Sequence, residues 1–134
     1  MSISKFKTSC IIDDDPIHQF GLKILMDRAN FSQEVLVFEN GEEALNGLAK
    51  RLKEGEELPA VIFLDLNMPI KDGWGFLDGF VTIPNINTDK VTIYIVSSSI
   101  NPADIEKAKT YEMVSNYIVK PLGIDQLEAI IKSL

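Results

Sequence analysis

Polar residues stand where apolar runs stop, and their types belong together chemically. Asp13 and Asp14 follow "CII", Asp65 follows "VIFL", Ser97 follows "TIYIV" and Lys120 follows "NYIV". Three carboxylates brought to one place repel, and one stays protonated unless a cation intervenes. The ligands on offer are hard oxygens, which favour Mg²⁺ over zinc. A single His and a single Cys cannot assemble an imidazole or thiolate site. A metal held by acids, beside a hydroxyl and an ammonium, is equipment for phosphoryl transfer. The metal and the lysine neutralise phosphoryl oxygens, and a carboxylate can act as nucleophile and form an aspartyl phosphate. Taken singly, each residue has a plainer reading: a polar turn with a helix cap at 13–15, a turn opening before Pro69, a serine loop at 97–99, a solvated lysine. Their shared position at the ends of separate apolar runs argues for a site.

The runs themselves read as strands alternating with helices. Strands are expected at 6–12, 34–38, 60–64, 91–97 and 115–119, and helices at 16–30, 41–55, 73–83, 101–112 and 124–134. The run at 60–64 is too continuously apolar for a half-exposed strand and reads as a central one. In the first helix Ile17, Phe20, Ile24 and Leu25 share one stripe at helical spacing, with Asp15 as N-cap and Pro16 at the first helical position. The second helix turns Ala44, Leu45, Leu48 and Leu52 inward, and Gly75 and Gly79 weaken the third. Such alternation implies an α/β fold, a parallel sheet covered on both faces. Ligands bind these folds at the carboxyl ends of the strands where strand order reverses. In the order 2-1-3-4-5 the first and third strands are neighbours there, so Asp13, Asp14 and Asp65 face one crevice, flanked by Ser97 and Lys120.

Composition narrows the class. The chain of 134 residues fits one domain, with 46% hydrophobic and 25% charged residues, a globular composition. The net charge of −7 and the absence of a basic block argue against nucleic-acid binding. No apolar run approaches the ~18 residues that span a bilayer, and "MSISKFKTS" lacks the core of a signal peptide. The lone Cys10 cannot form an internal disulfide, so a cytoplasmic setting is expected.

From "CIIDDDP" through "VIFLDLNMPIKDGW" and "YIVSSS" to "NYIVKP", the chain resembles the receiver domain of bacterial two-component response regulators. The resemblance covers nearly the whole sequence. It implies a flavodoxin-like (βα)5 fold and a switch that takes phosphoryl from a sensor histidine kinase or a histidine phosphotransfer protein. It also implies that Asp65 is the phosphoacceptor, and that Asp14, Asp65 and the backbone carbonyl of Asn67 hold Mg²⁺, with Asp13 acting through metal-bound water. Ser97 takes the family's hydroxyl position, Ser98 the small position after it, Lys120 the family's lysine and Tyr117 its switch aromatic. A cis Lys120–Pro121 bond is implied as well. Ser97 moving toward a phosphoryl group would vacate space for Tyr117 to rotate inward, reshaping the face formed by the fourth helix, fifth strand and fifth helix.

The segments "RLKEGEELP" and "TIPNINTDK" are longer than in minimal receivers and are expected on the side away from the strand carboxyl ends. His18 follows the acid motif but sits early on a helix, and reads as peripheral to the site. The fifth helix runs to Leu134, so a single receiver domain over 1–134 without an output domain is expected. A haloacid-dehalogenase-type phosphatase also uses a strand-end Asp and Mg²⁺. It needs a general acid two residues on, where Asn67 stands and cannot serve. A flavin-binding flavodoxin leaves the acids unexplained.

Overall fold

The computed structural model describes residues 4–134, so the first three residues of the N-terminal stretch lie outside the described residues. The elements run β1 (Phe6–Ile12), α1 (Pro16–Arg28), β2 (Ser32–Phe38), α2 (Gly41–Lys53), β3 (Val61–Leu64), α3 (Gly73–Phe80), a 3-10 turn (Thr88–Lys90), β4 (Thr92–Ser97), α4 (Pro102–Ala108), β5 (Val114–Val119) and α5 (Ile124–Ser133). The strands pair in parallel in the order β2-β1-β3-β4-β5, the flavodoxin-like order expected. No helix among the described residues is long and apolar enough to cross a membrane.

Strand alternation feeds two cores, because successive side chains point to opposite faces. Cys10, Ile12, Ile62, Leu64, Ile93 and Ile95 pack with Ala44 and Leu48 of α2 and Phe76, Leu77 and Phe80 of α3. Ile11, Phe63, Tyr94, Val96 and Ile118 pack with Leu22 and Met26 of α1 and Leu127 and Ile130 of α5. β3 is buried along its whole length, as its unbroken apolar run predicts.

Except at α3, helices start soon after the strand ends, and side-chain caps set where most of them begin. Asp15 accepts from the Ile17 and His18 N–H groups, Asn40 from Glu43 N–H, Asp72 from Gly75 N–H and Asn101 from Ala103 N–H. Each such cap contributes about 1 kcal/mol. The weakness of α3 has a packing reason at Gly79, where a Cβ would stand 2.6 Å from Leu45 Cδ1; the glycine lets α3 close on α2. Both long segments do lie at the amino ends of the strands. Arg51 pins the first of them, pairing with Glu34 at 3.5 Å and Glu56 at 3.1 Å and donating to the Glu57 carbonyl.

The stripe read on α1 is corrected by the structure. Leu22 and Met26 are buried and Leu25 is half-buried, whereas Ile17 is 82% exposed, Phe20 69% and Ile24 also lies open. Apolar residues surround most of this helix, so spacing alone offered two faces. The sheet took the one carrying Leu22 and Met26. Every helix also ends short of its expected limit, most of all α3 at Phe80 and α4 at Ala108.

Candidate functional site

Parallel pairing sets the site. Ile12 of β1 lies beside Leu64 of β3, and Leu64 beside Ile95 of β4. The residues just beyond therefore emerge side by side at the carboxyl edge. Asp13, Asp14 and Asp65 each offer a carboxylate oxygen, and these atoms lie within 4.8 Å of one another. Asp13 and Asp65 are buried and Asp14 is exposed, so the cluster has an open side. Lys120 enters from the end of β5, its Nζ 3.0 Å from Asp13 Oδ2 and 3.4 Å from Asp65 Oδ2. The Lys120–Pro121 bond is cis.

The two buried acids are surrounded differently. Asp13 Oδ1 accepts the Asp15 N–H at 2.9 Å, and Oδ2 accepts both Lys120 and the His18 ring, whose Nδ1 lies at 2.7 Å. Because a carboxylate can only accept, Nδ1 must carry the proton. Asp65 has only long contacts, Lys120 at 3.4 Å and the Asn67 N–H at 3.5 Å. Burial pushes the Asp13 carboxyl up, but His18, the Asp15 amide and Lys120 outweigh it and hold it below the usual carboxylate value. Burial and the neighbouring Asp13 charge push Asp65 up, and Lys120 and the Asn67 amide offset only part of that. Burial pulls Lys120 down, yet Asp13 and then Asp65 hold its net value above that of an ordinary lysine.

The remaining candidates take supporting places. Ser97 is fully buried at the end of β4, its Oγ accepting the Ser99 N–H at 3.2 Å, while its carbonyl accepts the Lys120 N–H at 2.9 Å. Ser98 is exposed, as is Asn67 beside Asp65. Tyr117 is half-buried, and its hydroxyl already donates to the Ser99 carbonyl at 2.8 Å.

The loop after β3 is tightly built. A Cβ on Gly73 would stand 2.6 Å from the Asp65 carbonyl oxygen, so only glycine lets the start of α3 close over the end of β3. Ile70 has φ 74° and the Lys71 N–H reaches the Pro69 carbonyl at 3.0 Å, a strained γ-turn around a β-branched residue that is 79% exposed.

His18 was read as peripheral, and the structure places it against Asp13 instead. The signal was available: it is the third residue of a helix capped by Asp15, and helical side chains lean toward the N-terminus, over the turn before them. Gln19 extends the same contact, its Nε2 donating to the Asp13 carbonyl.

Comparison with known proteins agrees with this geometry. The family model of the response regulator receiver domain matches residues 10–132. The chain is 26% identical to a probable chemotaxis protein CheY of Rhizobium etli, over 100% of this chain and 96% of that protein. The structure of a two-component response regulator from Cytophaga hutchinsonii superposes with TM-score 0.85 at 27% identity, covering 96% of this chain and 98% of that one. That of a phosphorylated cyanobacterial phytochrome response regulator, RcpA, superposes with TM-score 0.69 at 26% identity, covering 95% and 89%. A match that runs from Cys10 in β1 to Lys132 in α5, on a sheet of the same order with its acids gathered at one edge, leaves one conclusion: the chain belongs to the response regulator receiver domain family, the phosphoacceptor switches of two-component signalling.

Proposed function

We propose that Asp65 is the phosphoacceptor of this receiver, with Lys120 and Ser97 completing the reacting site. The observation that carries the reading is the unequal surroundings of the two buried acids. Asp13 is saturated by short contacts, whereas Asp65 has contacts of 3.4 and 3.5 Å and lone pairs to spare. A carboxylate oxygen of Asp65 bonds to phosphorus as the donor's P–N bond breaks, and that electron pair leaves on the donor imidazole. Lys120 offers its ammonium to the transferred oxygens, and Ser97, at the end of the neighbouring strand, offers its hydroxyl.

Three carboxylates within reach of one another suit a hard divalent cation. We assign Mg²⁺ to Asp14, Asp65 and the Asn67 backbone carbonyl, with Asp13 acting through water. Bound there, Mg²⁺ would neutralise charge on the phosphoryl oxygens. The donor is a sensor histidine kinase or a histidine phosphotransfer protein in the cytoplasm. The readout is the α4–β5–α5 face, with Tyr117 responding to Ser97. The chain's own chemistry is confined to gaining and losing this phosphoryl group.

The test is intact-mass measurement after acetyl phosphate and Mg²⁺. One phosphoryl group is expected on the native chain and none on Asp65→Asn. An adduct that survives the substitution overturns the assignment.

A further inference from the structure

Resting on the reading of Asp65 as acceptor, we infer that His18 is a positioning residue for phosphoryl transfer: by donating from Nδ1 to Asp13 Oδ2 it frees Lys120 to leave Asp13 for the phosphoryl group.

Lys120 stands nearer the wrong acid for its task. Its Nζ is 3.0 Å from Asp13, which accepts no phosphoryl, and 3.4 Å from Asp65, which does. Phosphorylation places new negative charge beyond Asp65, and the ammonium must follow it. That movement strips a donor from Asp13 Oδ2, an atom on a residue only 1% exposed. A buried charged oxygen that loses a donor is destabilised unless another donor is already in place.

His18 meets that cost at the same oxygen. Its ring lies 2.7 Å from Oδ2, closer than the ammonium, and its side chain is only 12% exposed. The ring is aimed by its helix. Asp15 accepts the His18 backbone N–H at 3.3 Å, and the Asp15 N–H in turn binds Asp13 Oδ1 at 2.9 Å. One capped turn therefore holds donors on both oxygens of Asp13, and neither depends on Lys120. With them in place Asp13 stays fixed and satisfied while Lys120 turns away. Without His18, Lys120 would be the last side-chain donor to Oδ2 and would be retained there.

The experiment compares the native chain with His18→Leu, which keeps bulk and loses the donor, and His18→Asn, whose Nδ2 is attached to Cγ as Nδ1 is. Three quantities are read: the rate of phosphorylation by acetyl phosphate from intact mass, the calorimetric affinity for beryllofluoride at saturating Mg²⁺, and the affinity for Mg²⁺ alone. In His18→Leu the rate and the beryllofluoride affinity should each fall about tenfold, equivalent to about 1.4 kcal/mol. His18→Asn should recover most of both, and Mg²⁺ affinity should stay nearly constant across the three proteins. A Leu variant as fast as the native chain overturns the inference, as does an Asn variant as slow as Leu. So does a Mg²⁺ affinity that falls in step with beryllofluoride, which would mean that His18 acts on the acids' hold of the cation. If the native adduct persists in Asp65→Asn, the acceptor assignment fails and takes this inference with it. A normal Asp65 adduct with unresponsive His18 variants removes the inference alone.

Discussion

Asp13 and Asp65 end adjacent strands, both are buried, and they share one lysine, yet their surroundings push them in opposite directions. The turn after β1 bends straight into a capped helix, so an amide and a ring nitrogen point back at Asp13. The loop after β3 runs on through Asn67 and a strained γ-turn at Ile70 before α3 begins, and only one distant amide reaches Asp65. Burial alone therefore does not decide what a carboxylate does. The number and distance of its donors do: the saturated acid is an anchor, and the poorly satisfied one keeps the lone pairs that chemistry needs.

The contrast can be broken at several points. The largest effect is expected from Gly73→Ala, whose new methyl would meet backbone rather than a movable side chain. Overpacking of this kind costs about 3 kcal/mol at the upper end of its range. Urea unfolding measures it, and a loss below about 1 kcal/mol would mean that the loop over Asp65 yields easily.

Lys120→Met removes the cation that the acids share. Breaking such a pair should cost about 2 kcal/mol at pH 7, below the full buried-pair value because the acids can take up protons instead. The loss should shrink toward pH 3. Asp13 has a folded pKa below its ordinary value, so its contribution is present above that ordinary value and disappears as pH falls through the folded one. Lysine's own raised value moves its contribution only at strongly alkaline pH, where it is lost as pH rises. Denaturation curves at pH 3, 5 and 7 check this, and a pH-independent loss would locate the lysine's role in packing.

Asp65→Asn has the opposite sign. A carboxyl whose folded pKa is raised opposes folding when ionised, so the amide should stabilise the chain by about 1 kcal/mol at pH 7. The advantage should fade as pH falls through the raised value and vanish below the ordinary one, where the carboxyl is protonated in both folded and unfolded states. Thermal melts across pH 3–7 in metal-free buffer would show it. A destabilised variant at pH 7 would mean that Asp65 is as well satisfied as Asp13.

The smallest effect is expected at Ile70. A left-handed backbone is costly for a β-branched residue, and the exposed side chain has little packing to lose. Ile70→Gly should relieve that strain and surrender part of the gain to unfolded-chain entropy, leaving a net stabilisation of about 0.5 kcal/mol. A destabilised variant would show that the isoleucine side chain holds the loop.

α1 and α2 show why legibility in the sequence was uneven. α2 carries polar residues around most of its circumference, so Ala44, Leu45, Leu48 and Leu52 had one direction to face, and all four are buried or half-buried. α1 is apolar on more than one side, and spacing could not choose between the stripe with Ile17, Phe20 and Ile24 and the face with Leu22 and Met26. The gathering of Asp13, Asp14, Asp65 and Lys120 was legible because parallel strands in one order bring their ends together whatever the details of packing. His18 was missed although its place in the first turn after the Asp15 cap carried a signal, because that signal lies in the lean of a helical side chain and not in apolar spacing.

By itself the sequence determined the alternation of strands and helices, the central place of β3, the cap at Asp15, and the acids, hydroxyl and lysine at the strand ends. These follow from local periodicity and from residue chemistry that acts over a few positions. Only the tertiary structure decided which face of α1 is buried, that Lys120 lies nearer Asp13 than Asp65, that His18 completes the Asp13 cage, and that Tyr117 already reaches the loop after β4. Each of these is a distance between segments far apart in the chain or around a turn. Such distances are set by how the helices seat on the twisted sheet and how the side chains fill the space that remains.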